Sequence, residues 1–267
     1  MNMLQALILG IIQGLTEFLP VSSSGHLVIV PWLLGWSQPS VMFDAVLHLG
    51  TVVAILAVFW RDIIRIIGGW FSSIFKRGPL STEGRLAWLL ILSAVPAAIL
   101  GFLLNNLFES LFGTPPLVAV LLLVTALILW LSEKISKRER TLESLTWLDA
   151  LLMGVAQGLA IAPGISRSGA TLATGLVRGL KREDAARFSF LMAIPVIIGA
   201  AGFKLLHATV TSGELSLLLI GFLAALVSGF LVIRAFLKFI RSHSLVPFAV
   251  YCVLIGIVTL VLTLGKA

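Results

Sequence analysis

Apolar residues run along this chain in long blocks, not in the alternation of a strand or the one-sided stripe of a surface helix. Six blocks approach or exceed the ~20 residues that carry a helix across a bilayer. They cover residues 41–60, 86–107, 117–131, 188–206, 215–233 and 246–264, the third being short for a crossing. Two further stretches, 3–34 and 147–180, are apolar but broken. Pro20-Val21-Ser22-Ser23-Ser24-Gly25-His26 interrupts the first and Pro163-Gly164-Ile165-Ser166-Arg167-Ser168-Gly169 the second. Backbone freed at such a break is tolerated at membrane depth only when buried in protein or lining a polar cavity. Each broken stretch therefore predicts a helix–loop–helix hairpin that dips in and returns. The first lacks the basic start and small-residue cleavage site of a signal peptide. The expected fold is an all-α polytopic membrane protein, with six transmembrane helices and two re-entrant hairpins in a single domain over 1–267.

Composition narrows the class. Of 267 residues, 59% are apolar and 12% charged, against roughly 45–50% and about 25% in soluble domains. There is too little polar surface to cover a soluble globule, and a disordered chain, coiled coil or collagen-like fibre is excluded. One cysteine, Cys252, rules out an intramolecular disulfide framework, and no Cys/His cluster suggests zinc. The net charge of +7 would suggest nucleic acid in a soluble protein; in a membrane protein it records cationic loops on the cytoplasmic side. With the layout above, 16 of the 19 basic residues fall on one side. They are Arg61, Arg65, Lys76, Arg77 and Arg85, then Lys134, Lys137, Arg138 and Arg140, then Arg178, Lys181, Arg182 and Arg187, then Arg234, Lys238 and Arg241. Lys204 and Lys266 fall on the other side, and Arg167 lies inside the second hairpin. The loops 36–40 and 105–116 hold no Lys or Arg. The basic side is therefore expected to be cytoplasmic, with both termini outside a cell inner (plasma) membrane.

The chain repeats itself. GIIQGLTEFLPVSSSGHL, from Gly10, aligns with GVAQGLAIAPGISRSGAT, from Gly154, with seven of 18 positions identical. The halves, about 1–133 and 145–267, enter the membrane from opposite sides, which predicts an inverted repeat of the kind found in transporters. Their two polar loops are expected to meet, with helix N-termini offering free N–H groups to an anion such as phosphate.

Ionisable residues within apolar spans are functional candidates by default, and Glu17, His26 and Arg167 qualify. Gln13 and Glu17 stand one turn apart on one helix face, an oxygen-rich pair that suits a divalent cation, Mg or Ca. Arg167 is a charged fork matching phosphate oxygens. Ser23, Ser24 and Ser168, with the amides of Gly25 and Gly169, are candidate phosphate donors, and Ser23 is also a catalytic candidate alongside Glu17, His26 and Arg167. Ser22 and Ser166 suit either that role or helix N-capping. His26 is a candidate base, acid or nucleophile. Asp44 and His48, one turn apart, suit either a supporting role or a helix start.

Three motifs then stand in order: Gln13-Gly14-Leu15-Thr16-Glu17, Pro20 to His26, and Pro163-Gly164-Ile165-Ser166-Arg167-Ser168-Gly169-Ala170-Thr171. Together they resemble the integral-membrane undecaprenyl-diphosphate phosphatases associated with bacitracin resistance, whose fingerprints are (E/Q)xxxE, a Ser/Thr-rich loop ending in Gly-His, and PGxSRSxxT. The resemblance implies removal of the terminal phosphate of a polyprenyl diphosphate, recycling the lipid carrier of cell-wall synthesis, with a divalent metal and a site open to the outer side. It adds Thr171 to the phosphate-binding set. Gln13 takes the uncharged option of its motif, which leaves Glu17 the charged ligand. The expected partners are the bilayer and the lipid substrate, with a second copy of the chain as a candidate and nucleic acid not among them. The alternative is a lipid-carrier flippase or transporter, suggested by the inverted repeat. Against it, Glu17 and His26 align with Ile161 and Ala170 while Arg167 aligns with Ser23, a division of labour that suits catalysis.

Overall fold

A computed structural model describes residues 1–75, 79–104, 107, 114–206 and 214–265. Lys76, Arg77, Lys266 and most of the loop 105–116 lie outside the described residues. Among those described, the fold is all helical. The helices are α1 (Met3–Phe18), α2 (Ser23–Leu34), α3 (Val41–Val58), α4 (Trp60–Phe75), α5 (Thr82–Leu103), α6 (Pro115–Ile135), α7 (Trp147–Leu159), α8 (Arg167–Val177), α9 (Arg182–Leu206), α10 (Leu215–Ile240) and α11 (Val246–Leu264). Six of these, α3, α5, α6, α9, α10 and α11, are long and apolar enough to cross a membrane. They fall on the six predicted blocks. The third is longer than its apolar run suggests: α6 has 21 residues, started by Pro115 and Pro116, whose missing N–H groups cost nothing in a first turn.

Both broken stretches are broken at the predicted places. Leu19 to Ser22 separate α1 from α2, and Ala160 to Ser166 separate α7 from α8. The longest of these four helices, α1, has 16 residues, about 24 Å at 1.5 Å per residue, short of a ~30 Å hydrocarbon core.

The sequence pattern did not predict α4. It carries Arg61, Asp62 and Arg65, which end the apolar block, yet Trp60, Ile64, Ile67, Phe71 and Ile74 are exposed along one face. That spacing of three and four is an amphipathic stripe suited to a membrane interface.

The core gathers around α9, with Phe188, Phe190, Leu191 and Met192 buried. Phe18, the last residue of α1, meets Phe190 edge to face at 5.3 Å, which anchors α1 one residue beyond Glu17. Small residues bring the broken helices close to spanning ones: α1 lies along α10 and α7 along α5. A Cβ on Gly14 would stand 2.0 Å from Ser228 Oγ and 2.5 Å from the Ala225 carbonyl. Gly14→Leu is therefore expected to destabilise the protein by about 1–3 kcal/mol through overpacking, read as a lower apparent Tm in detergent. Gly68→Leu on α4, with open space around it, should leave Tm unchanged.

The basic loops converge at one end of the bundle. Arg138 and Arg182 both hold Glu133 at 2.9 and 2.6 Å. Arg140 and Arg178 both hold Asp149 at 2.6 and 2.5 Å. Arg187 pairs with Asp62 and Arg241 with Glu183. These ties join the ends of α4, α6, α7, α8, α9 and α10 in one layer. A cleft of about 390 Å³ opens there between α4, α5 and α9. It shares no residue with the two polar loops, and Asp62, Arg187 and Arg85 on its wall are already partnered.

Candidate active site

The two breaks meet. Arg167, first residue of α8, reaches across to Glu17 near the end of α1, with Nη2 donating to Oε1 at 2.6 Å. Ser168 Oγ donates to the Leu19 carbonyl at 3.1 Å, and Ser22 Oγ to the Ile165 carbonyl at 3.5 Å. Gly25 lies against Gly164. Gly164 itself has φ +103°, and a Cβ there would stand 2.5 Å from the Val118 carbonyl of α6. Both strain and space demand glycine at this turn.

The two Ser-x-Ser-Gly runs make the same side-chain contacts on different backbones, Ser22 at φ +69° and Ser166 at φ −73°. Ser22 caps α2 by accepting the Gly25 N–H, and Ser166 caps α8 by accepting that of Gly169. Ser22 Oγ lies 3.3 Å from Ser24 Oγ, and Ser166 Oγ 3.2 Å from Ser168 Oγ. Capping thus occupies the first serine of each run. These caps use the Gly25 and Gly169 amides; the helices themselves begin at Ser23 and Arg167, beside Glu17, and an anion gains from the dipole of a helix N-terminus.

Glu17 takes contacts from both breaks. It is buried, with 5% of its surface exposed. Oε1 takes Arg167, while Oε2 accepts from Gln13 Nε2 at 2.9 Å and from the Ser23 hydroxyl. Burying a carboxylate is costly unless it is paired and hydrogen-bonded, and here it is both. Gln13, fully buried, spends its N–H on Glu17 and leaves Oε1 without a partner. His48 stands near: Nδ1 lies 2.7 Å from the Asp44 carbonyl and Nε2 3.7 Å from Glu17 Oε2. A carbonyl only accepts, so Nδ1 carries the hydrogen, and in the neutral ring Nε2 faces the carboxylate as a second acceptor.

The structure separates the remaining candidates. His26, 6% exposed, sits in the first turn of α2. Its Nδ1 is 2.8 Å from the Ser22 carbonyl and its Nε2 2.8 Å from the Tyr251 hydroxyl on α11. Thr171 lies one turn into α8. Its hydroxyl is engaged with the Arg167 carbonyl at 2.8 Å and with Ser189 Oγ of α9 at 2.6 Å, so it ties α8 to α9 rather than facing the loop. Thr125 of α6 holds the second loop, donating to the Gly164 carbonyl and accepting the Ser166 N–H. Tyr251, Thr125 and Ser189 were not among the sequence candidates. Tyr251 had one signal, as the chain's sole tyrosine.

Comparison with known proteins gives the family. Residues 6–258 match the family model described as bacitracin resistance protein BacA. A protein of Methanosphaera stadtmanae named undecaprenyl-diphosphatase is 45% identical, over 98% of this chain and 99% of its own. Proteins of the same name from Moorella thermoacetica and Thermomicrobium roseum are 43% and 42% identical; the alignments cover 96% of both chains and 97% and 98% respectively. With six helices among the described residues long and apolar enough to cross a membrane, this is a multi-pass integral membrane protein, and the chain belongs to the family of the bacitracin resistance protein BacA.

Proposed function

We propose that the protein hydrolyses the terminal phosphate of undecaprenyl diphosphate, releasing the monophosphate for reuse as the lipid carrier of cell-wall synthesis. The observation that carries the chemistry is the buried chain Ser23–Glu17–Arg167, built from both loops. Arg167 and the amide-lined helix N-termini neutralise the phosphate oxygens, the dominant requirement of phosphoryl transfer. Substrate phosphate competes with Glu17 for the guanidinium, and the released carboxylate accepts the Ser23 proton. Ser23 Oγ then bonds to the terminal phosphorus as the bridging P–O bond breaks, and the lipid monophosphate leaves with that oxygen. Water cleaves the resulting phosphoserine, Glu17 returning the proton to Ser23 Oγ.

The donor set also suits a divalent cation, Mg or Ca. Gln13 Oε1 is a buried oxygen acceptor lacking a partner, and the Glu17 carboxylate adjoins it. Glu17 and Gln13 would hold the cation, which supplies charge neutralisation to the phosphate oxygens.

The side of the membrane follows from charge. The ion-paired layer is cytoplasmic by the positive-inside rule, so both termini lie outside a cell inner membrane. The first hairpin enters from outside and the second from the cytoplasm, and the site opens to the outer side. The matched pairing of α1 with α10 and α7 with α5 supports two inverted halves. Phosphate release from undecaprenyl diphosphate by the purified protein in detergent tests this function, since micelles offer no second compartment. Release that stops with EDTA and returns with Mg or Ca is expected. Intact lipid binding without release would instead indicate a flippase.

A further inference from the structure

We propose that Tyr251 is a positioning residue of this site, acting through His26 to aim Ser23; the inference rests on Ser23 and Glu17 being the reacting pair. The tautomer of His26 follows from its partners. The Ser22 carbonyl only accepts, so Nδ1 carries the hydrogen. Nε2 is then the lone-pair nitrogen of the neutral ring, and the Tyr251 O–H, 2.8 Å away, is its donor. The two rings lie nearly parallel, 9° apart, with centroids at 5.7 Å.

The Ser22 carbonyl belongs to the peptide unit that joins Ser22 to Ser23. Ser22 has φ +69°, a region that a non-glycine residue keeps only where its surroundings hold it. The His26 N–H grips that peptide, and the phenol on the far nitrogen fixes the imidazole that does so. The next residue along is Ser23, whose hydroxyl donates to Glu17. Tyr251, His26, the Ser22 peptide and Ser23 thus form one line from α11 to the reacting oxygen. In this state both His26 nitrogens are engaged, so the proton of Ser23 goes to Glu17 and not to the imidazole.

The placement of Tyr251 is unusual for its type. Tyrosines of membrane proteins gather at the interfaces. This one stands five residues beyond Val246, about 8 Å along α11, in an otherwise apolar run. The neighbouring Cys252 rests on the Pro20 carbonyl at 3.8 Å, so α11 meets the first loop at two successive residues.

The test compares Tyr251→Phe with Tyr251→Leu, measuring kcat and KM separately, alongside nitrogen-15 NMR of histidine-labelled protein. Losing the hydroxyl is expected to lower kcat about tenfold, the scale of one hydrogen bond, with KM within about twofold. Phenylalanine should be as poor as leucine. Wild-type kcat in Tyr251→Phe with a loss in Tyr251→Leu would mean ring packing alone, and a raised kcat would mean a cap; either overturns the proposal. In the spectrum, the His26 signal, assigned by its loss in His26→Asn, should show an unprotonated Nε2 that shifts in Tyr251→Phe. A protonated Nε2 in the neutral wild-type ring would also overturn it. His26→Asn restores an N–H near the Nδ1 position, so it should retain more activity than His26→Ala; equal loss contradicts the positioning role. Full activity in Ser23→Ala would instead refute the reacting pair, while the spectrum still reports on the Tyr251–His26 bond.

Discussion

Arg167→Ala is expected to lower phosphate release from undecaprenyl diphosphate by at least ~100-fold, the scale of losing one transition-state stabiliser. The guanidinium is the cation that bridges the two loops, and its side chain is 17% exposed against 4% for that of Glu17. Removing it takes away the phosphate fork and strands a buried carboxylate. Breaking a buried pair from one side costs about 3–5 kcal/mol of stability, so folding and catalysis must be separated. Arg167→Lys does this. It keeps the positive charge beside Glu17 but loses the planar fork that meets phosphate bidentately. A normal Tm with strongly reduced kcat is expected for Arg167→Lys. Near-wild-type turnover in either variant would remove Arg167 from the mechanism.

Glu17→Gln should be comparably damaging, again by at least ~100-fold. Glutamine fills the same volume and can still hydrogen-bond Ser23, but it cannot take its proton or neutralise Arg167. Because the two residues act as a unit, their effects should not multiply. The double variant Glu17→Gln/Arg167→Gln, with no stranded charge, is expected to lose little more activity than the worse single variant and to melt above Arg167→Ala. Multiplicative losses in kcat would show that the two side chains act independently.

Much of this was legible in the sequence, for reasons that differ between elements. The six crossings were plain because unbroken apolar length is a strong signal, and only their ends moved, as when Pro115 and Pro116 started α6 early. The two breaks were plain because proline, glycine and serine cannot continue a helix in lipid cheaply. Glu17 and Arg167 stood out because charge is scarce in apolar spans, and they do meet, at 2.6 Å. The α4 helix was hidden because Arg61, Asp62 and Arg65 end the apolar block, and its stripe is visible only at helical spacing. Tyr251 was hidden because a tyrosine in an apolar run carries no local mark of its partner, and His26 lies 225 residues away. The fate of Thr171 was equally non-local: its hydroxyl is turned to Ser189 on the next helix, a contact no motif encodes.

The most direct measurement is a rapid acid quench of the purified protein with undecaprenyl diphosphate labelled on its terminal phosphate. An acid-stable label on Ser23, forming within the first turnover and absent in Glu17→Gln, is the expected result. An acid-labile label on His26, or full-rate phosphate release from Ser23→Ala, would contradict it.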